Sequence, residues 1–205
     1  MSALGVLAHK RPPSYARGMG AVVDCWFDYS SPFAYLGTTQ VERVAAAAGA
    51  SVRFRPFLLG ALFDRIGTPM IPLHSFPEAK RRHQELDLER WAAYWDVPFR
   101  FTTTFPLRTV LPLRVTLLAE NDPRLVHRIM RAAWVDDEDV GLDATLVARA
   151  GEAREALRAA TDEAIALGCP GAPCFVVGEH LYWGQDRLLF VEAALAGRPP
   201  GAPPR

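Results

Sequence analysis

Residues 23–37 read VDCWFDYSSPFAYLG. A run of strand composition passes through Ser30, Ser31 and Pro32 into a helical run. Proline is tolerated in the first turn of a helix, where its missing N–H has no intrahelical partner to lose. The two hydroxyls therefore sit where a helix begins. Such a place carries unpaired N–H groups and the positive end of the helix dipole, so it favours an anion. An anion pocket with hydroxyls at its rim is the chemistry this spacing offers. The competing reading is that Ser30 or Ser31 merely caps the helix.

Other reactive residue types are sparser. Cys25, Cys169 and Cys174 are odd in number and form no Cys-x-x-Cys, which argues against a disulfide scaffold or a structural zinc site. The histidines, at 9, 74, 83, 127 and 180, lack metal-ligand spacing, and no metal is expected. Arg108 and Arg114 are candidates to pair with a substrate carboxylate. Trp91, Tyr94 and Trp95 either line an aromatic substrate pocket or, at helical spacing, belong to the core.

The elements that must hold these residues follow from pattern. Residues 21–28 read as a strand, 32–48 as a helix that Gly49 can end, and 51–58 as a second strand. This is a β–α–β unit, parallel and right-handed by rule. From Gly60 to about Leu167 the pattern is helical, with helices expected at 78–95, 109–120, 123–135 behind an Asp122 cap, 144–150 behind Asp143, and 152–167. Residues 173–178 and 180–183 flank a Gly-Glu turn as a hairpin, and 185–196 closes the chain as a helix. The predicted class is α/β: a thioredoxin-like order, βαβ then αββα, with a large all-helical insertion. The divisions are a disordered leader at 1–20 with Met19 as an alternative start, thioredoxin-like parts at 21–59 and 151–197, the insertion at 60–150, and a proline-rich tail at 198–205.

The chain has 205 residues and balances 23 basic against 23 acidic side chains. No net charge draws it to nucleic acid or an anionic membrane. No run is long and apolar enough to cross a bilayer. A cytoplasmic location is expected.

Two features sharpen the fold reading. Ser31-Pro32-Phe33-Ala34 stands where thiol-disulfide oxidoreductases of this fold place Cys-x-x-Cys. GAPCFVVGE at 171–179 is similar to the loop in which a cis proline, here Pro173, precedes the third strand. FDYSSPFAYLG, RPFLLGALF at 55–63 and GAPCFVVGEHLYWGQDRL at 171–188 together resemble the 2-hydroxychromene-2-carboxylate isomerases. These are grouped with the kappa-class glutathione transferases in the disulfide-oxidoreductase-like branch of the thioredoxin fold. The resemblance spans residues 21–197.

The resemblance implies glutathione as cofactor, with Ser31 donating to its sulfur and helping to hold it as a thiolate. Ala172, beside Pro173, would pair with the cysteinyl backbone as an added strand does. Gln185 and Asp186 would bind the γ-glutamyl end: the carboxylate of Asp186 for the ammonium, the amide of Gln185 and helix N–H groups for the carboxylate. Gln185 stands where family members often have serine. Lys80 aligns with a lysine that binds the glycyl carboxylate, and Thr68 with an asparagine of the kappa pattern. Cys174 is expected to be a buried small side chain. The implied reaction is reversible thiolate addition to a cis enone, bond rotation and expulsion, giving the trans isomer of an aromatic oxo acid. A homodimer is implied as well. The alternatives are a kappa-type transferase or peroxidase and a non-catalytic binding module. Disulfide exchange is disfavoured by the missing cysteines at 31 and 34.

Overall fold

The computed structural model describes residues 20–141 and 153–198. The expected leader up to residue 19, the Asp143-capped segment and the tail from residue 199 lie outside the described residues. Strand β1 (Val22–Phe27) leads into helix α1 (Pro32–Ala47), then β2 (Ser51–Pro56). Helices follow: α2 (Leu59–Ile66), α3 (Pro72–Ser75), α4 (Glu78–Tyr94), α5 (Val110–Leu118), α6 (Pro123–Trp134) and α7 (Arg154–Ala166). The chain closes with β3 (Cys174–Val177), β4 (His180–Trp183), a 3₁₀ turn (Gln185–Arg187) and α8 (Leu188–Leu195). The sheet order is β2-β1-β3-β4, with β1 parallel to β2 and antiparallel to β3. This is the thioredoxin-like architecture expected from the sequence, and the described regular elements between β2 and α7 are all helical.

Local chemistry sets the boundaries. Gly49, at φ 69°, ends α1: its N–H reaches Ala46 O, and the next N–H, of Ala50, reaches Ala45 O at 2.9 Å. Asp122 caps α6 by accepting from Arg124 N at 3.0 Å. Helix α5 stops at Leu118 rather than Glu120, because Glu120 and Asn121 turn left-handed, with φ of 53° and 61°. Strand β2 is two residues shorter than expected. Phe57 N still donates to Phe27 O, but Leu58 N turns away to the Thr161 hydroxyl at 3.0 Å.

The core forms around β1, whose Val23, Cys25, Trp26 and Phe27 are buried. Tyr29, just past the strand, ties the helical block to it. Its hydroxyl bonds Thr116 of α5 at 2.6 Å, and its carbonyl accepts from the Trp134 indole of α6 at 2.8 Å. Gly37 lets α1 close on the β3 loop: a Cβ there would stand 3.0 Å from Pro173 Cγ and 3.1 Å from Phe175 Cζ. The start of α1 and the loop before β3 are thus pressed together, and the candidate site lies at that seam.

Candidate functional site

Ser31 is the N-cap of α1. Its Oγ accepts from Ala34 N at 3.2 Å and donates to Ala172 O at 2.8 Å, and the side chain is 6% exposed. The capping reading is therefore a structural fact. Pro32 has no N–H, Ala34 N–H is taken, and Tyr35 N–H bonds Ser31 O. That leaves the Phe33 amide as the first-turn donor without an acceptor among the described residues. The Ala172–Pro173 peptide is cis, and Gly184 N donates to Pro173 O at 3.0 Å.

These groups open on a cavity of about 1310 Å³. Ser31, Phe33, Thr68, Ala172, Gln185, Asp186 and Arg108 all line it. Much of the wall is apolar: Leu59, Phe63, Ile66 and Met70 come from α2 and the chain just beyond it, and Phe101, Phe105 and Leu107 from the segment before α5. Gln185 is 3% exposed, and its Oε1 is closed from solvent without a hydrogen-bond partner. Asp186 is paired with Arg187 at 2.7 Å. Arg108 is exposed and has no ion-pair partner among the described residues.

Other expected residues fall elsewhere. Lys80 is exposed on α4, and its Nζ lies 3.7 Å over the ring of Phe76, which lines the cavity. Lys80 is thus adjacent to the cavity through Phe76. Pro173 packs under Gly37 behind the lining. Trp91 is drawn into a cluster with Tyr94 and Trp95, at 5.5 and 5.1 Å between ring centroids, and does not line the cavity. Arg114 does not line it either. It lies just over one turn into α5 and lines an adjoining hollow between α2, α5 and α7, which shares Leu58 and Val110 with the first. Of the two arginines considered for a substrate carboxylate, Arg108 lines the same cavity as Ser31 and Arg114 does not.

Three contributors were not legible from pattern. Asp28 is fully buried at the cavity wall, accepting from Ser30 N at 2.9 Å and Leu59 N at 2.7 Å, with a further bond from the Thr109 side chain. Burial pushes its pKa up against the pull of those hydrogen bonds. It serves as the missing cap of α2, because Leu58 at that N-cap has no side-chain acceptor. A charged residue at the buried end of an apolar strand was the available signal. Trp183, 54% exposed, lays its indole against the proline loop, where a Cβ on Gly171 would meet Nε1 at 2.9 Å. Arg187 is the third, through its hold on Asp186. Cys174 is buried and bonds Gly171 O at 3.1 Å. Its contact with the Cys169 thiol and its burial push its pKa up, so it remains a thiol.

A family described as DSBA-like thioredoxin domain matches residues 22–196. A 2-hydroxychromene-2-carboxylate isomerase of Sphingobium xenophagum is 30% identical over 198 residues, covering 86% of this chain and 99% of that protein. A glutathione S-transferase kappa 2 of Caenorhabditis elegans is 26% identical over 211 residues, covering 85% and 92%. A solved 2-hydroxychromene-2-carboxylate isomerase matches with a TM-score of 0.74 at 23% identity, covering 85% of this chain and 94% of that one. The chain belongs to the DsbA-like thioredoxin-domain family, in its 2-hydroxychromene-2-carboxylate isomerase group.

Proposed function

We propose that the protein is a glutathione-dependent cis–trans isomerase of 2-hydroxychromene-2-carboxylate or a related aromatic oxo acid. The observation that carries this reading is the junction of Ser31, the Phe33 amide and the Ala172–Pro173 loop on one apolar cavity that also bears the unpaired Arg108. The relatives named isomerase and glutathione transferase support the reaction class.

The residues present fit a thiol tripeptide. A sulfur anion needs donors, and the Phe33 N–H and the end of the α1 dipole supply them. The Ser31 hydroxyl has one proton, committed to Ala172 O at 2.8 Å. Donation to sulfur takes a rotation of that hydroxyl, which at the same time frees the Ala172 carbonyl for a peptide N–H. The γ-glutamyl assignment shifts relative to the sequence reading. Asp186 is already neutralised by Arg187, whereas the orphaned Gln185 Oε1 lacks a donor. Gln185 then receives the ammonium, and Arg187 meets the carboxylate. Lys80 remains the candidate for the glycyl carboxylate, and Thr68 lines the cavity as a candidate glutathione contact.

Glutathione, when bound, supplies a thiolate that adds reversibly to the conjugated carbon and lets the former double bond rotate. Ser31 and Phe33 N–H keep that sulfur ionised. Arg108 pairs with the substrate carboxylate and favours the negative charge that develops on the conjugated oxygen. The apolar wall holds the aromatic ring and limits water. We further place the protein in the cytoplasm as a homodimer; its three cysteines are free and buried, which suits a reducing compartment.

Calorimetry with glutathione, run beside an absorbance assay on 2-hydroxychromene-2-carboxylate, tests the reading. Saturable one-site binding and glutathione-dependent isomerisation are expected. Binding with conjugation of an electrophile, and no isomerisation, would make the protein a kappa-type transferase. Binding without turnover of either kind would leave a binding module. No binding at about millimolar glutathione, a weak-affinity limit, would remove the cofactor assignment.

A further inference from the structure

Arg114, excluded from the Ser31 cavity, belongs to a second hollow of about 380 Å³ between α2, α5 and α7. We propose that this hollow binds a small organic dianion, an apolar body bearing carboxylate or phosphate groups. The inference is independent of the glutathione reading.

Arg65 enters from α2, Arg114 from α5, and Arg154 and Arg158 from α7. Against these four guanidiniums stand two carboxylates, Asp64 and Asp162, so the lining has two positive charges in excess. None of the four arginines has an ion-pair or hydrogen-bond partner among the described residues. Surface arginines without partners are ordinary. Four converging from three helices onto one concavity are not, because like charges repel across a short span. Arg114 adds a second, independent observation. It is half-buried, and its Nε is closed from solvent with no acceptor. A buried donor left unmade is costly, so the Arg114 side chain gains by turning its guanidinium toward an anion in the hollow.

The planar guanidinium fork matches carboxylate and phosphate oxygens, which selects those groups over a halide. The excess of two charges favours a dianion. Leu58, Val110, Leu157 and Ile165 furnish an apolar wall, so an aromatic or aliphatic body is favoured over a bare inorganic ion. Thr161 lines the same hollow while its hydroxyl holds Leu58 N–H. Helix α7 begins at Arg154, and its N-cap Ala153 offers no side-chain hydrogen bond.

Thermal melts test the proposal with phthalate and phenyl phosphate as separate probes, against chloride at matched ionic strength. A rise in Tm of about 5–10 °C is expected at hundredfold excess over the dissociation constant. The stronger probe identifies carboxylate or phosphate as the preferred group. Arg158→Gln, on an exposed position, is expected to weaken binding at least tenfold, and Asp162→Asn, also exposed, to strengthen it. Arg114→Gln should also weaken it; should that variant fold poorly, the two exposed variants decide. Glutathione affinity should be unchanged in Arg158→Gln and Asp162→Asn. A shift matched by chloride, undiminished in Arg158→Gln, or abolished by Ser31→Ala would overturn the proposal, the last by locating the dianion in the other cavity.

Discussion

Replacing Ser31 by alanine separates the two roles of that hydroxyl. The variant loses the acceptor for Ala34 N–H and the donor to Ala172 O. Loss of a serine N-cap costs about 1 kcal/mol. Leaving the buried Ala172 carbonyl without its donor costs about 1 kcal/mol more. The sum, about 2 kcal/mol, lowers Tm by about 4–8 °C in a chain of this size. Proposed catalysis adds a larger effect of another kind. Removing one donor aimed at a charged reacting atom lowers kcat by about 100-fold to 1000-fold. Calorimetric melting reads the first number, and the isomerase assay at saturating glutathione reads the second. Ultraviolet absorbance of the bound thiolate gives a third readout: its pKa should rise in Ser31→Ala, because a donor that stabilised the anion is gone. Ser31→Thr keeps donor and acceptor and should recover most of both losses. A variant that melts as expected yet turns over at the wild-type rate refutes the sulfur role and leaves a helix cap. A Tm unchanged within about 1 °C refutes the energetic account of the two hydrogen bonds.

Asp28→Ala orphans the half-buried Ser30 amide and the buried Leu59 amide and should cost about 2–6 kcal/mol in urea unfolding, at about 1–3 kcal/mol per orphaned donor. Burial raises the Asp28 pKa in the folded state, so its stabilising contribution is complete below the ordinary carboxylate value of 3.8 and is lost as pH rises through the folded value. Unfolding free energies of wild type relative to Asp28→Asn should therefore fall as pH rises from the unfolded value upward; a difference that is flat with pH would show that the group does not titrate there. Gly37→Ala forces a methyl to within 3.0 Å of Pro173 Cγ and should cost about 1–3 kcal/mol by denaturant melting, with weaker glutathione binding in the same titration. Arg108→Ala should raise KM for a carboxylate substrate about tenfold or more at near-constant Tm, whereas Arg114→Ala should leave KM unchanged; equal effects of the two would contradict the separation of the cavities.

Much of the fold was legible because its signals are local. Pro32 and Gly49 bracket α1, Asp122 caps α6, and the apolar runs of β1 and β3 flank turn residues. The candidate site was legible only where a motif sits on one element, as at Ser31 and at the 172–173 loop. Arg108 and Arg114 show the limit. They are six residues apart, and nothing in their types distinguishes them. The segment before α5 directs Arg108 to the Ser31 cavity, while helical rotation, with Pro112, Leu113 and Thr116 buried, directs Arg114 to the other side. Asp28 was hidden for a related reason: its partners at Leu59 and Thr109 are far away in sequence. Trp91 is partly buried, packs against the core beside Trp95 and lies outside the Ser31 cavity lining.

The hydrogen-bond inventory of the site narrows what can complete it. Ser31, Ala34 N and Ala172 O satisfy one another, and Asp28 holds Ser30 N and Leu59 N. Besides the exposed Arg108, two ends stay open among the described residues: a donor at Phe33 N–H and an acceptor at Gln185 Oε1. A ligand that suits both must bring an anionic or lone-pair atom to the start of α1 and a donor to the 3₁₀ turn. A simple anion answers only the first demand, and an amine only the second. A molecule with a thiolate and an ammonium on one peptide frame answers both, and its backbone can engage Ala172 once Ser31 turns away. A substrate that displaced the Ser31 proton without offering Ala172 O a donor would leave a buried carbonyl unpaired, at about 1–3 kcal/mol. That penalty discriminates against small thiols lacking a peptide N–H, so the site should prefer glutathione over a simple alkyl thiol of equal acidity.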